Sequence, residues 1–260
     1  MGNIPEQKSV GDAALQIGRA IVSAVPLAGG PLQVLLENVF KAPLEKRQLA
    51  WLHELEGVVR RLQEKIDGFT PDKLSQNESF ITVALQATQI AIRNHQQEKI
   101  HALRNAVLNS GLPNPPDENE QLVFLKLVDQ LTPWHLGLLG LLDGPLLWMN
   151  HHGVEYPMWE LRGLATVVEH CLPQLRGKRE TYDQLFRDLQ TSGLLMQGDY
   201  LHGNMTGSGK RSRTIELDEK LLVSGPLKNG EYMHLPYLES TTESRTTATG
   251  KRFLKYITEI

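Results

Sequence analysis

The chain has 260 residues, 40% hydrophobic and 22% charged, with a formal net charge of −3. That length allows one large or two ordinary domains with a buried core, and the charge argues against a surface that binds nucleic acid all over. A single cysteine, Cys171, excludes an internal disulfide and suits a reducing cytosol. Met1 to Val10 carries Glu6 and Lys8 and does not read as a secretion signal, and Glu6 stands where a myristoylation start requires Ser or Thr.

The first predicted element is a helical hairpin. Val10, Ala13, Ala14, Ile17, Ile21, Ala24 and Val25 recur at helical spacing, Pro26–Pro31 forms the turn, and Leu32, Leu35, Leu36, Val39 and Phe40 mark a second short helix. The uncharged run from Arg19 to Glu37 is broken by Pro26, Gly29, Gly30 and Pro31, so it is no continuous membrane span. The hairpin has two readings: a part of the helical core, or a device released for membrane contact or self-association through Ile21, Ala24, Val25, Leu32, Leu35 and Leu36.

Leu44 to Ile66 is the next helix, with Trp51, Leu52, Leu55, Val58, Val59, Leu62 and Ile66 as its apolar stripe. A long helix is predicted from Asp72 or Glu78 to Asn109, stopped by Gly111 and Pro113. Helices Glu118–Leu131 and Trp134–Leu142 follow, the second opened by Thr132 as N-cap and Pro133 at its first position. After Gly144 the pattern changes. Pro157–Leu172 and Lys178–Ser192 read as helices, then Leu194–Leu201, Thr214–Val223 and Tyr232–Thr242 as strands, and Gly250–Ile257 as a closing helix.

Leu185–Leu195 resembles a recognition-type helix running into a first wing strand, and Thr247–Ile257 a returning strand with a closing helix. The expected architecture is therefore mainly α: an N-terminal helical bundle over 1–150 and a winged-helix-like α+β domain over 151–260. The winged-helix resemblance implies a duplex DNA contact through Arg179, Tyr182 and Arg187 on the helix and Lys210, Arg211 and Arg213 on the wing. It equally fits a protein-contact module. From Arg176 to Ile260 there are 13 Lys and Arg against 11 Asp and Glu, a small surplus for neutralising several phosphates.

Catalytic and cofactor motifs are not found. Gly203–Lys210 imitates a phosphate-binding loop, but Asn204 holds its first glycine position and Arg211 replaces the magnesium-binding hydroxyl. His151, His152, Glu155, His170 and Cys171 lack the paired spacing of a zinc site, so no metal is expected. His170 and Cys171 are helix neighbours whose side chains diverge by about 100°, a poor base–nucleophile pair. His151–Gly153 reads as a polar interdomain turn.

Glu98–Ala106, Phe124–Leu136 and the Thr247–Gly250 segment together resemble the bacterial abortive infection alpha family over about residues 90 to 260. That resemblance implies a cytoplasmic bacterial protein with a defence role and no chemistry of its own. The expected activity is non-enzymatic, through self-association, partner sensing or regulated membrane contact, with no cofactor and no small-molecule substrate. The alternative is a winged-helix transcriptional regulator.

Overall fold

A computed structural model of the chain describes residues 41–155, 163–197 and 244–258. They are mainly helical and fall into two compact units. The first contains residues 41–137, 192–194 and 247–258, and the second residues 138–155, 163–191, 195–197 and 244–246. The division thus runs at 137/138 where the sequence suggested 150, and the closing helix sits with the first unit.

The first unit opens with α1 (Lys41–Lys65), which buries Trp51, Val58 and Leu62, one stripe at heptad-like spacing. The Trp51 indole N–H donates to Thr88 Oγ1 at 2.9 Å, so its one polar atom is satisfied in the core. A short α2 (Pro71–Ser75) is capped by Thr70, and α3 (Glu78–Arg93) by Asn77, whose Oδ1 accepts from Phe80 N–H at 3.1 Å.

The long helix expected to Asn109 is in fact a helical hairpin. Asn94 leaves the helical conformation, its side chain donating back to Ile90 O at 2.8 Å, and α4 (Gln97–Gly111) begins three residues later. Asparagine favours such local backbone bonds over helix continuation. A Cβ on Gly111, at the end of α4, would meet Leu62 of α1 and also Phe80 at the start of α3, so α3 and α4 run antiparallel.

Next, α5 (Glu118–Gln130) starts at Asp117, whose Oδ1 accepts from Asn119 N–H at 2.9 Å. Then α6 (Pro133–Asp143) begins as expected with Pro133 in its first turn. At its start His135 Nδ1 lies 3.1 Å from Thr132 N, an arrangement in which the ring accepts the backbone N–H as a capping-box residue does.

The second unit takes α6 from Leu138, with Leu138, Leu139, Leu141 and Leu142 buried. Gly144–Pro145, where the sequence pattern changes, opens a further helix, α7 (Pro145–His151), with proline in its first turn. His151–Gly153 therefore ends a helix inside this unit. The unit continues with α8 (Leu164–Cys171), a 3₁₀ turn at Pro173–Leu175, and α9 (Arg179–Thr191).

No strand forms among the described residues. Of the strands expected from the sequence, Leu194–Leu201 is represented by one antiparallel bridge between Leu195 and Thr246, where Met196 N–H donates to Arg245 O at 2.9 Å. The segments 214–223 and 232–242 lie outside the described residues, as do residues 10–40, for which a helical hairpin is expected from the sequence. The closing helix, α10 (Ala248–Ile257), forms where expected.

Candidate functional site

The first unit is organised around a polar seam on α4. Lys99, Asn105, Asn109 and Ser110 are all buried, an unusual set for the middle of a helical core. Three of them hold the ends of other helices. Lys99 Nζ donates to Asp129 O at 2.7 Å, in the last turn of α5, so an ammonium satisfies a carbonyl that the helix leaves without a partner. Burial lowers the Lys99 pKa, the Asp129 carboxylate raises it in part, and Arg93 lowers it further.

Asn105 and Asn109, one helical turn apart, do the same for α10. Asn105 Nδ2 donates to Ile257 O at 3.0 Å; Asn109 Nδ2 reaches Tyr256 O at 2.8 Å, Thr258 O at 3.1 Å and Lys255 O at 3.3 Å. The C-terminal carbonyls of a helix at the end of the chain are thus received by side chains about 150 positions earlier. Asn109 Oδ1 is buried and has no partner among the described residues.

Around these amides the cleft is apolar and aromatic. Phe124 of α5 stands edge-on to Phe253 and tilted to Tyr256, both with ring centroids 5.5 Å apart. The Tyr256 hydroxyl donates to Gln121 Oε1 at 3.1 Å, and burial drives its pKa far up. At the mouth Arg252 Nε meets Glu120 Oε1 at 2.7 Å.

The other end of α10 is fixed as firmly. Thr247 Oγ1 accepts from Gly250 N–H at 2.9 Å and donates to Gly193 O at 2.7 Å, while Thr247 N–H donates to Leu194 O at 3.0 Å. A Cβ on Gly250 would run into the Leu194 carbonyl group, so the position requires glycine for space. The segments that carry the family resemblance contribute Lys99, Asn105, Phe124, Thr132, His135, Thr247 and Gly250, all engaged in holding helix ends or the core.

A second feature of this unit is open. Gln86, Gln89, Ile90 and Arg93 of α3 and Leu122, Val123, Lys126 and Asp129 of α5 line a groove of about 380 Å³. Each row spans two helical turns, about 10 Å. Ile90, Leu122 and Val123 give it an apolar floor, and Val123 is 53% exposed. Arg93 and Asp129 close one end as an ion pair at 3.1 Å.

The candidates on α9 separate. Tyr182 is a correction: it is 1% exposed, on the buried stripe Tyr182, Leu185, Phe186 and Leu189, and its hydroxyl donates to Glu169 at 3.0 Å, so it offers nothing to a duplex. Burial and the neighbouring Glu169 raise its pKa. Arg179 is half-buried and pairs with Asp183 at 3.3 Å. Arg187 is exposed, bonded to Gln184 at 3.1 Å. Lys210, Arg211, Arg213, Ile21, Ala24, Val25, Leu32, Leu35 and Leu36 all lie outside the described residues.

Cys171 is buried and its thiol is pushed up to about 11, which removes nucleophilic character at neutral pH. His170 Nε2 lies 2.9 Å from Glu155 O, and His152 stacks on Trp148 with ring centroids 3.8 Å apart. No group of three or more His, Cys, Asp or Glu poised to hold a metal occurs among the described residues. No helix among them is long and apolar enough to cross a membrane.

The sequence reading missed Lys99, Asn105, Asn109 and Gln121. The signal was present: asparagines spaced i,i+4 on the same helix as Ala102, Ala106 and Val107, where an ordinary core stripe would be apolar throughout. A search against family models returns no match, nor do searches of the curated proteins and of the solved structures.

Proposed function

We propose that this chain is a non-enzymatic bacterial protein of defence or stress-response type, whose first unit works by binding a protein partner or a second copy of itself. The open groove between α3 and α5 carries the reading: a groove two turns long, with Ile90, Leu122 and Val123 set among polar side chains, suits an amphipathic helix, whose anchors recur at i, i+3 or i+4 and i+7. In this reading the residue 10–40 hairpin supplies a membrane contact on activation.

The test is sedimentation of the full chain over a range of concentrations, beside liposome binding and growth on overexpression. Val123→Glu places a charge on the groove floor at an exposed helix position, where the fold tolerates it within roughly 0.5 kcal/mol. Association present in the wild type and lost in V123E supports the groove. A chain that stays monomeric, ignores liposomes and is harmless when overexpressed refutes the reading.

Winged-helix binding to duplex DNA is the second reading. The Leu195–Thr246 bridge after α9 is how a wing hairpin would begin, and Arg187 faces solvent on that helix. A regulator making several phosphate contacts loses affinity steeply with salt. Salt-insensitive or absent DNA binding removes this reading.

A further inference from the structure

The charges along the α3–α5 groove are ordered. Arg93 and Asp129, in the last turns of α3 and α5, meet at one end. Gln86 and Leu122, seven residues earlier on each helix, line the same groove, so the two helices run parallel. Their first turns, with Glu78 and Glu118, therefore lie towards the other end. Along the pair the charge passes from these two carboxylates to Arg93 and Lys126, two cations against the one carboxylate of Asp129.

α5 carries this order on a single face. Of its four charged residues, Glu120 and Asp129 are paired with Arg252 and Arg93, while Glu118 and Lys126 are exposed. Glu118, Leu122 and Lys126 follow one another at i, i+4 and i+8, with Leu122 midway and the exposed Val123 beside it. Eight residues span about 12 Å of helix, outside the i,i+3 and i,i+4 reach of side-chain pairs, so Glu118 and Lys126 do not serve each other within one chain.

We propose that the occupant of the groove is α5 of a second copy, laid antiparallel about Leu122, each copy placing its α5 in the groove of the other. The inference rests on the groove reading above and narrows its partner to this chain itself. A two-fold axis at Leu122 sets position 118 of one copy opposite position 126 of the other, and the contact occurs twice, as an isologous interface requires. Glu118 then meets Lys126 of the second copy on both sides of the axis, with Leu122 and Val123 of both copies between the two pairs. Opposite charges equidistant from one apolar centre are what a self-complementary face needs. The parallel arrangement fails on charge, because Glu118 would face Glu118 and Lys126 would face Lys126. An all-acidic or all-basic foreign helix would be attracted at one end of the groove and repelled at the other. The ion pairs fix register and direction, and the apolar centre supplies the area removed from water.

The test is sedimentation velocity of the full chain and of three variants, Glu118→Lys, Lys126→Glu and the double variant E118K/K126E. Each single variant sets like charges opposite each other on both sides of the axis, and its self-association should weaken on the order of tenfold. Mixed one to one, a chain positive at both positions meets a chain negative at both, and association returns to about the wild-type strength. The double variant regains it as well, which separates pairing across the axis from any effect of either substitution on α5 itself. Equal association in all variants, or a mixture no stronger than its components, overturns the α5 pairing; loss of that association in V123E would then leave the groove reading standing without it. A wild type that stays monomeric at every concentration also overturns the inference and leaves the groove to a partner of different sequence, while liposome binding and growth decide the wider reading.

Discussion

Gly250→Ala isolates one contact on which the placement of α10 depends. Gly250 is helical with no left-handed backbone, so alanine is conformationally allowed and gains roughly 1 kcal/mol of helix propensity. The obstacle is space. The added Cβ meets the Leu194 carbonyl group, its carbon at 3.1 Å and Cα at 3.4 Å, and backbone cannot swing aside as a side-chain tip does. Leu194 O is also the acceptor for Thr247 N–H, so relief of the clash weakens that bond and the Thr247 cap. Overpacking costs about 1–3 kcal/mol and the disturbed cap about 1 kcal/mol. After the propensity gain the net loss is about 1–3 kcal/mol, or roughly 2–12 °C in Tm at this chain length. Gly57→Ala in α1 is the internal control: its Cβ would meet nothing within 4 Å, and it should gain about 0.5–1 kcal/mol. Paired thermal melts measure both. A G250A protein as stable as the wild type would refute the reasoning.

Lys99→Met gives a pH signature. Because the folded pKa of Lys99 lies below its ordinary 10.5, the unfolded chain holds the extra proton between those two values, and stability contributed by this site rises with pH across that window. The wild type should therefore gain on K99M in urea melts as pH climbs through it; parallel curves would count against the buried ammonium. Thr88→Val leaves the Trp51 indole N–H buried without its acceptor and should cost about 1–3 kcal/mol in a urea melt, against near-neutrality if that bond were idle. Joining Gln197 to Ser244 through Asn-Gly matches the antiparallel pairing of Met196 with Arg245, so the helical circular-dichroism signal and the cooperative melt should survive removal of 198–243. Loss of the cooperative melt would show that the described helices depend on that segment.

Local signals in this sequence were legible where caps and stripes coincide. Trp51, Val58 and Leu62 announced α1, Thr132–Pro133 the start of α6, and Gly250 to Ile257 the closing helix. The break at Asn94 was hidden because the residues on both sides continue a helical pattern, and one side-chain bond to Ile90 O decides it. α7 was hidden because Gly144–Pro145 reads equally as a turn and as a helix start. The place of α10 could not be read locally at all. Its amphipathic stripe says only that one face is buried; which unit buries it depends on Asn105, Asn109, Gln121 and Phe124, more than a hundred residues away. The same holds for Tyr182, whose aromatic ring with a polar tip looked like a contact residue and serves the core.

The central claim is that the last helix completes the first unit. Hydrogen exchange on the full chain and on a chain stopped after Thr246 tests it directly. Without α10, Phe124 and the two asparagines lose their partners, and the amides of α4 and α5 should lose protection while those of α8 and α9 keep it. Unchanged protection in α4 and α5, with the loss falling on α9, would contradict the account and return the closing helix to the C-terminal domain.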